Sequence, residues 1–322
     1  MKSRRLNGYY QLFEVDINNM TFIVNELWDG RLLRDYLRTE CMVSRKTLVK
    51  LKALDNGILL NGKSVTVRAV LKCGDSVEIS VQDSLQDENP YVIPTGDMPP
   101  IIYEDEAIIA VNKPAGMPTH TSFGHYGDSL SNAVCLYLKN KGIPFVFRAI
   151  NRLDRDTSGI VLIAKNRYYA GILSKSLQNG CFRKSYLAVV HGMVGKGGKI
   201  EGYITREGES IIKRCLYSQQ VEGSDYSLTE YNVVEQNDKA TLLLVTPITG
   251  RTHQIRVHMA SIGHSIIGDT MYGEESAEIS RQALHAYSLK FPSPINGEEI
   301  SLTAPLTDDM KTLVKRYFDK EL

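Results

Sequence analysis

The stretch Asn151-Arg152-Leu153-Asp154-Arg155-Asp156-Thr157-Ser158-Gly159 runs directly into Ile160-Val161-Leu162-Ile163-Ala164. An unbroken apolar run of that length reads as a buried strand. The charged residues before it therefore stand at the mouth of a hydrophobic core, where charge is costly unless paired or used. A turn held by an Arg–Asp ion pair would explain an isolated Arg-x-Asp. It is the weaker reading here, because two further segments supply partners for a reactive carboxylate at Asp154, as nucleophile or general base.

The first of these is Arg183-Lys184-Ser185-Tyr186-Leu187-Ala188-Val189-Val190. Tyr186 falls in a strand, and position alone favours a core aromatic over a ring that stacks on a planar substrate. The second is Thr249-Gly250-Arg251-Thr252-His253-Gln254-Ile255-Arg256-Val257-His258. Arg251, His253, Gln254, Arg256 and His258 crowd one helix start. Helix N-termini favour anions, so the two arginines need a carboxylate or phosphate nearby. The spacing of His253 and His258 puts them on different helix faces, which argues against a shared metal.

The chain's 322 residues suffice for two domains and a large core. A formal net charge of +1 gives no global pull on a polyanion, so any nucleic-acid footprint is local. The cysteines Cys41, Cys73, Cys135, Cys181 and Cys215 are odd in number and form no Cys-x-x-Cys pair. Neither a zinc site nor a disulfide framework is indicated, and a cytoplasmic setting is expected. No apolar stretch is long enough to span a bilayer, and the N-terminus lacks an apolar signal core.

The organisation reads in four parts. Residues 1–20 are an extension or an extra strand. Residues 21–82 form a small α+β module: a strand at Thr21–Val24, a helix carrying Leu32, Leu33, Tyr36 and Leu37, and a second capped by Ser44. That second helix carries Leu48, Leu51 and Leu54 and is expected to end at Gly57. Hairpin-like strands follow, with a turn at Asn61-Gly62. Arg34, Arg38, Arg45, Lys46 and Lys50 lie on the two helices with few acids, which favours a phosphate-binding surface over plain solvated charge. Residues 83–100, rich in proline and acids, read as a hydrated linker. Residues 101–322 contain many strands and several helices without regular alternation, and argue an α+β domain on a mixed or antiparallel sheet.

The small module resembles the ribosomal-protein S-four type of RNA-binding domain, through Arg31-Leu32-Leu33-Arg34-Asp35-Tyr36-Leu37, Ser44-Arg45, Leu60-Asn61-Gly62-Lys63 and Lys72-Cys73-Gly74-Asp75. The large domain closely resembles pseudouridine synthases of the RluA type, which isomerise uridine in RNA. The motifs are Lys113-Pro114-Ala115-Gly116 through His120, Arg152-Leu153-Asp154 through Gly159, Lys184 through Tyr186 and Ala188, and Gly250 through His258. Gly268-Asp269, Tyr272-Gly273 and Leu284-His285-Ala286 continue them. The resemblance implies that Asp154 is the essential catalytic residue. It further implies that Tyr186 stacks on the target base, that Arg256 pairs with Asp154, and that Arg152 helps displace the target nucleotide. Arg251 and His253 are expected RNA contacts. The family commonly has His where this chain has Asn151.

Moving the sugar from nitrogen 1 to carbon 5 of uracil involves no redox change and no outside group, so no cofactor is expected. Asp154 must be ionised to act; a paired arginine favours that form and burial opposes it. Direct attack on the sugar and abstraction of a sugar proton both remain open. The expected partner is RNA, most naturally large-subunit ribosomal RNA, bound by a monomer. The rivals are a transfer-RNA or dual-specificity synthase, a non-catalytic RNA-binding assembly factor, and a hydrolase pairing Asp154 with His253 or His120.

Overall fold

The computed structural model describes residues 19–83, 87, 89–208, 210 and 212–320. The expectation for residues 1–20 lies outside them, apart from Asn19 and Met20. β1 (Asn19–Ile23), β2 (Ile58–Leu60), β3 (Lys63–Ser64) and β4 (Ser76–Ser80) form an antiparallel sheet in the order β1-β4-β2-β3. Helices α1 (Leu33–Thr39) and α2 (Arg45–Leu51) bury Leu33, Tyr36, Leu37, Leu48 and Leu51 with Phe22, Val77 and Ile79 of the sheet. Ser44 caps α2 by accepting the Thr47 N–H at 3.1 Å. At Asn61-Gly62 both φ values are positive, as the tight hairpin turn requires. One expectation fails: α2 ends at Leu51, so Leu54 is outside it and Gly57 is not its cap. Gly57 is needed for another reason, because any Cβ there would collide with the Leu51 carbonyl.

The remaining strands build a second, ten-stranded sheet. They are β5 (Ile101–Glu104), β6 (Ile108–Lys113), β7 (Ser158–Ala164), β8 (Arg183–His191) and β9 (Gly198–Arg206). β10 (Arg214–Tyr217), β11 (Asp225–Gln236), β12 (Ala240–Pro247), β13 (Leu284–Pro292) and β14 (Glu299–Thr303) complete it. The order is β10-β9-β11-β12-β8-β13-β7-β6-β5, with β14 added to β13. Every described pairing is antiparallel except β7 with β13. With α3 (Leu130–Asn140), α4 (Arg167–Gln178), α5 (Gln254–Ser261) and α6 (Asp308–Phe318), this is the expected α+β architecture on a mixed sheet. None of these helices is long and apolar enough to cross a membrane.

The apolar run that opened the reading is β7, and both its faces are buried. Ile160, Leu162 and Ala164 pack with Tyr168, Tyr169 and Ile172 of α4, while Val161 and Ile163 pack with Leu130, Val134 and Leu138 of α3. That is why the run does not alternate. Gly159 enters the strand at φ 113°, and a Cβ there would stand 2.6 Å from the Ala286 nitrogen. Only glycine lets β7 and β13 come together at this point.

The start of the linker departs from the hydrated reading. Asp83 is 3% exposed and accepts from both Arg148 nitrogens at 2.6 Å and from Arg167 at 2.9 Å. The two arginines hold its carboxyl below the ordinary range although burial pushes it up. The apolar core of residues 19–81 continues into α4: Phe22 meets Tyr168 edge-on at 6.0 Å, and Met20 lies against Tyr169.

Candidate active site

Asp154 lies in the loop just before β7, and its neighbours in sequence are clamped from both sides. Thr119 Oγ1 donates to the Leu153 carbonyl at 3.0 Å and accepts its N–H at 3.2 Å. Lys113, fully buried, donates to the carbonyls of Pro114, Met117 and Arg155 at 2.8, 2.7 and 3.0 Å. Burial pushes the Lys113 ammonium down to about 7, while the carbonyl cage gives each of its protons an acceptor. The Asp154 carbonyl accepts the Thr157 N–H, closing the turn. Asn151 reaches across to β7, donating to the Ile160 carbonyl and accepting the Leu162 N–H, both at 2.9 Å. Its amide thus does the work of one more paired strand residue, a role an imidazole with one donor and one acceptor can also fill.

The carboxylate of Asp154 points into a cleft of about 260 Å³. It is 23% exposed, so a substrate can reach it. Arg256 Nη1 donates to Asp154 Oδ2 at 3.3 Å. The other two nitrogens of that guanidinium are taken by Asp269: Nε to Oδ2 at 2.6 Å and Nη2 to Oδ1 at 2.7 Å. Asp269 is fully buried and also accepts the N–H groups of Met271 and Tyr272. Arg256 is only 8% exposed; burial opposes its charge, but Asp269 outweighs that and raises its pKa. The fork is therefore fixed by one carboxylate and presented to the other. Tyr272 covers it, its ring centroid 5.1 Å from the guanidinium carbon.

His253 caps α5 in the left-handed region at φ 58°. Its Nδ1 is 2.8 Å from the Tyr272 hydroxyl, which itself accepts the Arg214 N–H at 2.8 Å. The contact ties the imidazole to Tyr272 and so fixes the orientation of the ring. Nε2 faces Asp154 Oδ2 at 3.8 Å, and burial lowers the pKa of this histidine. His258 is elsewhere: it is fully buried and bonded through Nε2 to Ser227.

Tyr186 is half-buried on β8 and lines the same cleft. Burial, and then the charge of Asp154, raise its pKa, so the phenol keeps its proton at neutral pH. Arg152 and Arg251 stand at the rim, Arg251 held by the Tyr226 carbonyl at 3.0 Å. Lys184 lines the cleft as well, and burial lowers its pKa. Asp154, Tyr186, Arg256, Arg152, Arg251 and His253 thus meet in one place. Those of the small module do not reach it. Arg38, Arg45, Lys46 and Lys50 line a separate groove, and Arg34 is turned to its neighbour Asp35. His120 packs edge-on against Phe147 at 5.1 Å and does not line the Asp154 cleft, so the His120 form of a hydrolase has no geometric basis. Asp269, Tyr272, Lys113 and Thr119 were not singled out as site residues. Asp269 had a signal, the acid that two arginines at a helix start demanded.

Residues 107–261 match a family model described as RNA pseudouridylate synthase. A Bacillus subtilis relative named as an uncharacterized RNA pseudouridine synthase, YjbO, is 37% identical over 277 residues, covering 86% of this chain and 96% of its own. The ribosomal large subunit pseudouridine synthase D of Vibrio cholerae is 37% identical over 274 residues, covering 80% of this chain and 82% of its own. Among solved structures, human RNA pseudouridylate synthase domain containing 1 is similar with a TM-score of 0.54 at 28% identity, covering 65% of this chain and 85% of that one.

Proposed function

The chain belongs to the RNA pseudouridine synthases, in their RluA-type branch, and we propose that it isomerises uridine in large-subunit ribosomal RNA with Asp154 as the catalytic carboxylate. The observation that carries the assignment of the site is the three-part arrangement Asp154–Arg256–Asp269 beside Tyr186 in one cleft. The substrate rests on relatives named for large-subunit modification, from Vibrio cholerae, Zymomonas mobilis and Neisseria meningitidis. A cytoplasmic monomer suits this reading, since one chain lines the whole cleft.

The chemistry follows from the geometry. The bond from nitrogen 1 to the sugar breaks, the base turns, and a bond from carbon 5 to the same sugar carbon forms. Carbon 5 loses a proton and nitrogen 1 gains one, so the step balances internally. The target uridine must leave its stack, which costs about a few kcal/mol. Tyr186, protonated and lining the cleft, can return roughly 1–3 kcal/mol by stacking on the base. Arg152 at the rim occupies the space the base vacates or meets a flanking phosphate. Arg256, anchored by Asp269, keeps Asp154 oriented at the sugar, and the fixed geometry is what turns a weak nucleophile or base into an effective one. Residues 21–82 are assigned as an S-four-like RNA-binding module, with residues 1–20 an extension, 83–100 the linker and 101–322 the catalytic domain.

Two measurements test this. Purified protein should release tritium from RNA labelled at carbon 5 of uridine, and Asp154→Asn should not. Cells lacking the protein should lose pseudouridine at one or more positions of large-subunit ribosomal RNA. Loss confined to transfer RNA would replace the substrate with the rival one, and loss nowhere would sink the assignment.

A further inference from the structure

A second depression lies where α2 meets α4. The small module lines it with Arg38, Arg45, Lys46 and Lys50, and α4 with Ser174, Lys175 and Gln178. Among the described residues, Asp87 is the one acid that lines it. Asp87 and the buried Asp83 hold Lys50, Arg148 and Arg167 at its floor. No described residue pairs with Arg38, Arg45, Lys46 or Lys175. For a chain of net charge +1 this is a marked local excess of positive charge. Arg167 adds an independent sign. It is 8% exposed, only its Nη2 is bonded, and its Nε and Nη1 are buried without an acceptor among the described residues. Buried donors of a cation without a partner are costly, so the positive charge at the groove's floor is not fully compensated by the acids around it.

The groove also adjoins the active-site cleft along two chain segments. Val146, Phe147 and Arg148 line the groove and Ile150 through Asp154 line the cleft; Lys175 and Gln178 line the groove and Leu177 lines the cleft. The last turn of α4 is the wall between them. The module that supplies the groove's other side is fixed against α4 by the Phe22–Tyr168 contact and by Asp83.

We infer that the groove between α2 and α4 is a composite phosphate-binding track for the substrate RNA, continuous with the Asp154 cleft and made jointly by the small module and the large domain. It rests on the reading of the chain as an RNA-modifying enzyme. The backbone of the strand that carries the target uridine passes over the end of α4 and is gripped by cations from both sides. The docked module then sets a fixed distance between the gripped phosphates and Asp154, which helps to select the uridine that is modified.

The test uses the full chain and an unmodified large-subunit ribosomal RNA transcript labelled with tritium at carbon 5 of uridine. Affinity is measured against salt for wild type, Arg45→Gln, Lys175→Gln and the pair, with Lys311→Gln on α6 as a remote control. Both groove residues are exposed helix positions, and thermal unfolding checks that the variants fold. Each groove variant should weaken binding and flatten the slope of log affinity against log salt by about 0.7–0.9, and the pair by about twice that. Tritium release at limiting RNA should fall in parallel, while the control leaves binding unchanged. Unchanged affinity and slope in Lys175→Gln, with wild-type tritium release intact, would overturn the track and leave the enzyme's assignment standing. Wild-type protein that neither binds the transcript nor releases tritium would overturn both. Loss of polyglutamate binding in Lys175→Gln with RNA binding intact would give the groove to an acidic protein and overturn the proposal.

Discussion

Two carboxylates share the Arg256 guanidinium, and they should respond oppositely to the same substitution. Asp269 is fully buried and makes two bonds of 2.6 and 2.7 Å; Asp154 is 23% exposed and makes one of 3.3 Å. In Asp269→Asn the oxygen that serves Arg256 Nη2 and the Met271 N–H can remain, but the other becomes an amide whose hydrogens face Arg256 Nε. A guanidinium that is 8% exposed then lacks its charge partner. Removing one member of a buried pair costs about 3–5 kcal/mol, a large part of the roughly 5–15 kcal/mol that holds a domain together. The fork is also free to turn, and a shift of about 1 Å at a reacting group can cost about 100-fold in rate. Asp154→Asn removes one long bond at a solvent-accessible position, which is worth no more than about 1 kcal/mol, yet it should abolish tritium release. Urea unfolding and tritium release on both variants separate the two roles. An Asp269→Asn protein as stable and active as wild type would refute the anchoring argument, and a grossly unfolded Asp154→Asn would show that Asp154 is structural.

Arg256→Ala should reduce turnover severely and Arg256→Lys should recover only part of it, because an ammonium cannot hold Asp269 with two bonds and still reach Asp154; Arg251→Ala should cost far less, and the reverse ranking in tritium-release assays would mean that the wrong arginine has been matched to the carboxylate. Burial pushes His258 and His285 down to about 4 from an ordinary 6.5, so both fold as neutral rings while the unfolded chain takes up protons below pH 6.5. Their contribution is intact above 6.5 and is lost as pH falls towards 4, by about 2 kcal/mol each at pH 5. Urea midpoints at pH 7 and pH 5 measure it, and a pH response unchanged by His258→Gln would contradict it.

The fold was legible where one segment carries its own signal. β7 announces itself by its apolar run, and α2 by Leu48 and Leu51 at helical spacing behind the cap at Ser44. β9 was not read from the sequence, although Ile200, Gly202 and Ile204 alternate on its buried face, because glycine is a poor strand signal. β13 and β14 carried weaker signals, because β13 is paired on both edges and its residues around Gly159 answer to a close approach visible only in three dimensions. The first acid of the linker was misread for a related reason. Asp83 looks like a solvated charge until Arg148 and Arg167 arrive from far along the chain. Deleting residues 1–96 is accordingly a poor probe of RNA binding, since it would strip the cover from Tyr168 and Tyr169 and leave Arg148 and the buried Arg167 without Asp83.

The site divides along the same line. The side chains proposed to serve the reaction, Asp154, Tyr186 and Arg256, could be named from motifs because such a reaction constrains what they must be. Those that hold them, Asp269, Thr119 and Lys113, answer only to the fold, and any residue type that satisfies a bond in that place would serve. The crowd of cations at the start of α5 shows where the two kinds of information join. Electrostatics alone demanded an acid beside Arg251 and Arg256, and it was answered with Asp154 when the stronger partner is Asp269, thirteen residues further along the chain. Asp154 is left with the weaker share of the guanidinium. Asp269 spends its oxygens on four donors inside the protein, whereas Asp154 keeps most of its lone pairs free towards the cleft, as the proposed role of a reactive carboxylate requires.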